Sequence, residues 1–269
     1  MEYDYKVGKE RIIEILDNDV EVEGKKYVPC ENDFTFDNAY KCWITSIFVD
    51  IRNSTELFNS SDKKKVTKIV RSFTSEIIEI LNAKCILDEP YEDISIEEIG
   101  IRGDCVYAVY STPQQSQTYE VLDRAFYINT LIKMLNELFG KYKLGSIKAG
   151  IGVSVAEEII IKAGRKYSGV NSKVWIGDAV TKASKLSGLG DKGDIQRIVI
   201  SSCMHHNIIN KFKKRNGEGK ATSYFTKVTD NKLGTYYHCD IIKTDFNDWI
   251  NGGMKEWKQS LILNYQILN

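Results

Sequence analysis

Apolar positions recur along this chain in two periods, and the switches between them outline a fold. From Asp62 to Leu81, Val66, Ile69, Val70, Phe73, Ile77, Ile80 and Leu81 return every three or four positions, which predicts a helix with one buried side. A second stripe, Ala125, Ile128, Leu131, Leu135 and Leu138, predicts a long helix that follows Pro113 and stops at Gly140. Period two takes over elsewhere. Trp43 to Asp50 reads as a short apolar strand, and residues 96–110 as a hairpin of two apolar runs around a Gly-Asp turn. Over Ser146–Val155 the alternation is strict, with Ile147, Ala149, Ile151, Val153 and Val155 on one face and Lys148, Gly150, Gly152 and Ser154 on the other. That second face is nearly bare, which suits close approach of a ligand or of another backbone. A further helix is expected over Gly177–Ser187, and strands over Ile198–Ile200 and Tyr236–Ile242.

The order β-α-β-β-α-β, with more elements after it, predicts an α+β fold built on a split βαβ sheet with helices on one face. Residues 1–41 read as an N-terminal extension, with a short helix around Ile12, Ile13 and Leu16 and a small hairpin over Val20–Val28 around Gly24. The tail, residues 243–269, carries Trp249, Trp257, Leu261, Leu263 and Ile267 and reads as an apolar-faced helical extension. Between them, residues 42–242 form the main domain. The stretch AGRKYSGVNSK near residue 168 is a loop long enough to suspect a functional role.

Composition narrows the function classes. The formal net charge of +0 gives no basic footprint for nucleic acid, and Lys63–Lys65 reads as a solvated helix face. No apolar run approaches the ~18 residues of a membrane span, and the charged start does not resemble a leader. The six cysteines lie far apart without a C-x-x-C pair, the pattern of free thiols in a reducing cytoplasm.

The candidate chemistry sits in WITSIFVDIRNST, Trp43 to Thr55. A buried strand runs into the carboxylate of Asp50, then into Asn53, Ser54 and Thr55, which offer turn and helix-start groups. Such a junction can hold a divalent cation and a phosphate side by side. Asp104, in the Gly-Asp turn of the hairpin, supplies a second carboxylate. Each alone is a common cap or turn residue. Brought together by adjacent strands, they would form a two-metal site for an in-line displacement at phosphorus.

In this order and spacing, FVDIRNST, GDCVY and WIGDAVTKASKL resemble the class III nucleotidyl cyclase domain over about residues 42–242. The resemblance implies a ferredoxin-like core, a homodimer with interfacial active sites, and conversion of a nucleoside triphosphate to a 3′,5′-cyclic monophosphate. It implies that Asp50 and Asp104, helped by the Ile51 carbonyl, hold two divalent cations, Mn²⁺ or Mg²⁺. The amides around Asn53 to Thr55 would cradle the triphosphate. The usual Asn and Arg of the later helix are here Thr181 and Lys185, four residues apart on one helical face. Arg165 or Lys166 could supplement them, and Lys232 matches a lysine that contacts the triphosphate. The two positions that read purines in the family hold Gly100 and Val174, which cannot hydrogen-bond a base edge. Arg102 shares a strand face with Gly100, and Trp175 adds bulk beside Val174. These departures are most similar to the Pycsar pyrimidine cyclases of bacterial anti-phage defence. That likeness implies CTP or UTP as substrate and a separate effector activated by the cyclic nucleotide. An adenylyl cyclase with an atypical pocket, or a degenerate domain used for binding, are the competing readings.

Overall fold

The computed structural model describes residues 3–83, 94–166 and 168–255. In chain order the elements are α1 (Tyr5–Leu16), β1 (Glu21–Gly24), β2 (Asn38–Ile51), α2 (Ser54–Asn59), α3 (Lys63–Asn82), β3 (Ser95–Arg102), β4 (Cys105–Ser111), α4 (Gln115–Lys141), β5 (Ala149–Gly164), β6 (Asn171–Ile176), α5 (Asp178–Ser187), β7 (Ile198–Ser201), α6 (Ser202–Asn216), α7 (Glu218–Ser223), β8 (Thr226–Asp230), β9 (Gly234–Cys239) and α8 (Thr244–Asn251). The nine strands share one sheet in the order β3-β4-β2-β5-β7-β9-β8, with β1 added to β2 and β6 to β5. Its centre is the β2-α3-β3-β4-α4-β5 unit that the periodicity predicts.

The expectation of helices on one face holds only for part of the molecule. On one side, Ile47, Val49 and Ile51 of β2 and Ala149, Ile151 and Val153 of β5 pack under the stripes of α3 and α4 and under Met204 and Ile208 of α6. On the other, Tyr40, Cys42, Ile44 and Phe48 of β2 meet Tyr107 and Val109 of β4 and Ala179 and Ala183 of α5. Both faces of β2 are therefore covered, so its sequence is a nearly continuous apolar run. The bare face of β5 receives α5 directly. A β-carbon on Gly152 would lie 2.0 Å from the Ala183 carbonyl oxygen, and one on Gly150 would lie 2.1 Å from that of Ser187. Of the two partners the glycines could admit, the structure shows another backbone.

Several boundaries differ from expectation. The strand expected at Trp43–Asp50 begins at Asn38, and the one expected to end at Val155 continues to Gly164, because the two pair antiparallel from Ala39–Ile161 to Ile51–Ala149 and β6 pairs with the last residues of β5. The helix expected to stop at Gly140 runs to Lys141, and the residue in left-handed backbone is Lys143 (φ 57°), two residues beyond that end. No hairpin forms around Gly24 among the described residues. Instead β1 pairs parallel to β2, with the chain returning through residues 25–37. The start of the C-terminal extension docks on α4, where Lys133 Nζ donates to Asn247 at 2.7 Å and Lys243 pairs with the buried Asp123 at 3.1 Å. Trp257, Leu261, Leu263 and Ile267 lie outside the described residues. The described cysteines, Cys30, Cys42, Cys105, Cys203 and Cys239, are all free thiols. Among the described residues no helix is long and apolar enough to cross a membrane.

Candidate active site

Strand register places the candidate residues on one face of the sheet as successive rungs. In the first rung Arg102, Cys105, Asp50 and Gly150 stand side by side on β3, β4, β2 and β5. The second rung holds Gly100, Tyr107, Phe48 and Gly152, and the third Glu98, Val109, Ser46 and Ser154. Because side chains alternate, these rungs share the face that carries α5. Asp104 sits above the first rung, in the two-residue turn between β3 and β4. Gly103 opens that turn with φ 63°, a conformation that only glycine adopts without strain.

The two carboxylates meet there. Burial pushes the Asp50 carboxyl above the usual carboxylate range, Arg52 pulls it back, and the Asp104 side chain, within hydrogen-bond reach, pushes it up again. Arg52 is nearly buried and forms an ion pair with the Asp50 carboxylate. Its guanidinium also donates to the Ser187 and Gly188 carbonyls at the C-terminal end of α5, each at 2.9 Å. Immediately after it, Asn53 adopts left-handed backbone (φ 55°) and α2 begins. Asn53 makes no side-chain cap there, so the turn chemistry expected of it is supplied by its carbonyl, which accepts from Glu56 and Leu57. The Ser54 and Thr55 amides that precede them have no acceptor within the helix.

One rung further in, Tyr107 fills the space above Gly100. A β-carbon at Gly100 would lie 2.5 Å from the Tyr107 Cζ and hydroxyl oxygen. The same ring stacks on Phe48, with centroids 5.0 Å apart and planes 11° from parallel. Its hydroxyl donates to Glu98, and Arg102 is also within hydrogen-bond reach of it. The Trp175 indole N–H donates to the other Glu98 oxygen at 2.8 Å, so β6 reaches across this face to β3. Val174 points the opposite way and is exposed.

Other candidates lie elsewhere in the protomer. Thr181 is on the exposed side of α5 and donates to the Gly177 carbonyl at 2.6 Å. Lys185, one turn on, is exposed and makes no hydrogen bond or ion pair among the described residues. Lys166 pairs with Asp37 at 3.2 Å and Glu14 at 3.7 Å, and Arg165 is exposed beside it. Lys232 sits in the β8–β9 turn, where its amide donates to Asp230. That turn lies beyond the Ser201–Tyr236 pairing, at the end of the sheet opposite to Asp50. One protomer therefore brings together Asp50, Ile51 and Asp104, with Arg102 and Gly100 nearby; among the described residues Thr181 and Lys185 make no bond to the two carboxylates, and Lys232 lies at the opposite end of the sheet.

The sequence model of the adenylate and guanylate cyclase catalytic domain matches residues 38–223, more than half of the chain. The chain belongs to that family. A uridylate cyclase of Treponema porcinum is 51% identical over 254 residues, which cover 94% of this chain and 83% of the relative. A uridylate cyclase of Gulbenkiania mobilis is 29% identical over 258 residues, 92% of this chain and 95% of that one. Among solved structures, the adenylyl cyclase CyaB from P. aeruginosa is similar with a TM-score of 0.56 at 15% identity, over 75% of this chain and 95% of the other. That last likeness is one of fold.

For a class III cyclase the donor set fits hard divalent cations. Two adjoining carboxylates and a strand-end carbonyl would offer oxygen ligands only, and the Asp50 carboxyl, raised first by burial and further by the Asp104 charge, carries negative charge that a cation would offset. Among the described residues no group of three or more acidic, His or Cys side chains assembles, so substrate phosphates would have to complete the shells. Sequence reasoning did not single out Arg52, Phe48, Tyr107 or Glu98. Phe48 stands two residues before Asp50, and Glu98 two before Gly100, so period two could have found both. The Tyr107 and Arg52 contacts needed the register.

Proposed function

We propose that this cyclase converts UTP to 3′,5′-cyclic UMP and pyrophosphate in the cytoplasm, at sites shared between two copies of the chain. The observation that carries the pyrimidine reading is Tyr107 lying over Gly100, where a purine-reading side chain would have to project. Likeness to two uridylate cyclases favours uracil over cytosine. Asp50, Asp104 and the Ile51 carbonyl hold two divalent cations, Mg²⁺ or Mn²⁺. When bound, these neutralise the triphosphate and acidify the ribose 3′-hydroxyl.

The chain's own groups do the rest. The amides of Asn53, Ser54 and Thr55 orient the triphosphate beside the carboxylates, and the Phe48–Tyr107 stack receives the base. Arg102 donates to a base oxygen, Gly100 makes room for the Tyr107 ring, and Trp175 bounds the far side, while Val174 faces away. Thr181 and Lys185 of the second copy reach the ribose and the transferring phosphorus, with Lys232 of that copy on the triphosphate. The pairing is supported by Lys232 lying at the opposite end of the sheet from Asp50, and by Thr181 and Lys185 making no bond to the carboxylates of their own chain among the described residues. Lys185 offers a point charge in place of the forked Arg, so turnover is expected to be slow. Arg165 or Lys166 can add charge from the β5–β6 loop. As in Pycsar systems, the cyclic nucleotide would activate a separate anti-phage effector.

The test is a product assay with ATP, GTP, CTP and UTP in parallel, with Mn²⁺ and then Mg²⁺, resolving cyclic products by mass. Cyclic UMP as the main product is expected. Cyclic AMP as the main product would refute the pocket reading, and absence of any product would favour a binding domain.

A further inference from the structure

The Glu98 carboxylate is held on both oxygens by neutral donors from different strands. The Tyr107 hydroxyl on β4 donates to one, and the Trp175 indole on β6 donates to the other at 2.8 Å. Among the described residues no lysine or arginine pairs with it, although the adjacent Glu97 is met by Lys173 at 3.4 Å. Strand alternation puts Glu98 on the same face as Gly100 and Arg102, just after the β3–β4 register shifts between Ile96 and Glu98. An ionised carboxylate has about four acceptor sites, so two structural donors leave roughly two unused. Among the described residues of the Arg102–Gly100–Glu98 edge, this is the acceptor beside the Phe48–Tyr107 stack, and Arg102 is the donor. The edge of uracil reads acceptor, donor, acceptor (O2, N3–H, O4), whereas that of cytosine reads acceptor, acceptor, donor (O2, N3, N4–H₂).

We infer that Glu98 is the residue that selects uracil, accepting the N3–H of the base while Arg102 donates to a flanking oxygen. This rests on the pyrimidine reading of the site. A cytosine in the same pose turns its N3 lone pair toward a carboxylate, and the mismatch is of the kind that hydrogen-bonding sites reject strongly. Tyr107 and Trp175 act as positioning residues, fixing the carboxylate so that it faces the base edge.

The test is a competition assay with equimolar UTP and CTP, read as the ratio of cyclic UMP to cyclic CMP, which does not depend on how much enzyme is active. Wild type making cyclic UMP is the arm that tests the pyrimidine reading, and its failure sinks both. Given that product, Glu98→Gln is expected to lower the ratio at least about tenfold, because the amide can donate to cytosine N3. Trp175→Phe, which keeps the ring and removes one donor, is expected to lower the ratio less. A merely structural Glu98 would lower both products together, so an unchanged ratio in Glu98→Gln overturns the inference. If that variant yields no product, an unchanged ratio in Trp175→Phe overturns it instead.

Discussion

Arg52 Nη2 donates at 2.9 Å to the Ser187 carbonyl oxygen while the same nitrogen pairs with the Asp50 carboxylate. One guanidinium thus ties the strand end that carries Asp50 to the last turn of α5. The Gly188 carbonyl takes a second bond from it, and the Asp50 carbonyl two more, at 3.1 and 3.4 Å.

Removing this group leaves two helix-end carbonyls and one carboxylate without their partner. Arg52→Ala is expected to lower unfolding free energy by about 3 kcal/mol, the cost of breaking a largely buried pair from one side. Arg52→Lys should recover only part, since an ammonium has three donors on one nitrogen and cannot span the four acceptors that the planar guanidinium reaches. Urea midpoints of the three proteins check this, and equal midpoints would contradict it.

A site split between protomers can be rebuilt from two damaged ones. In the proposed arrangement Asp50→Ala would lose metal binding, and Lys185→Ala would lose the charge offered to the neighbouring copy. Each alone is expected to be nearly inactive. Mixed in equal amounts and allowed to exchange, they should regain about a quarter of wild-type activity, because half the dimers are mixed and each of those has one of two sites intact. A mixture no more active than its parts would argue for a site complete within one chain.

Gly152→Ala is expected to destabilise by about 1–3 kcal/mol through overpacking. Its methyl would have to share space with the Ala183 carbonyl oxygen and the Ser187 amide, both backbone. Gly24→Ala, where no atom lies within 4 Å, is the control and should be near neutral. Thermal midpoints of the pair separate crowding from a general effect of losing glycine.

Glu158 gives a pH dependence. The side chain is fully buried, accepts from the Ala179 amide at the start of α5, and leaves Oε2 without a partner. Burial, the largest influence, raises its carboxyl above the usual range although the α5 amides lower it. A raised folded value means that the stability it contributes is full below the unfolded carboxylate range and is lost as pH rises through the folded value. Wild type should therefore lose stability relative to Glu158→Gln as pH increases across that window. Parallel stability curves for the two proteins would rule out this assignment.

Much of this was legible in the chain because period and punctuation agree with the final packing. The α3 stripe, the Gly-Asp turn and Asp50 at a strand end each depend on neighbours within a few residues. What could not be read depends on pairing at a distance. The parallel seat of β1 beside β2, the continuation of β5 to Gly164, and the reach of Trp175 to Glu98 follow from register between segments tens of residues apart. The bare face of β5 could be seen, but not what filled it. A glycine pair admits a ligand or a helix equally well, and only the third dimension decides. Arg52 lies inside FVDIRNST, but the carbonyls that hold it, Ser187 and Gly188, belong to a distant segment that the motif does not contain.

The seating of α5 on Gly150 and Gly152 has a mechanical meaning. Packed side chains can trade rotamers and let one element slip over another, but here main chain rests on main chain with no such bearing between them. Rolling or sliding α5 would collide a carbonyl with a strand, so the helix carrying Thr181 and Lys185 moves with the sheet as one body. In the paired arrangement proposed, a switch that tunes output would have to change how two whole chains lean together.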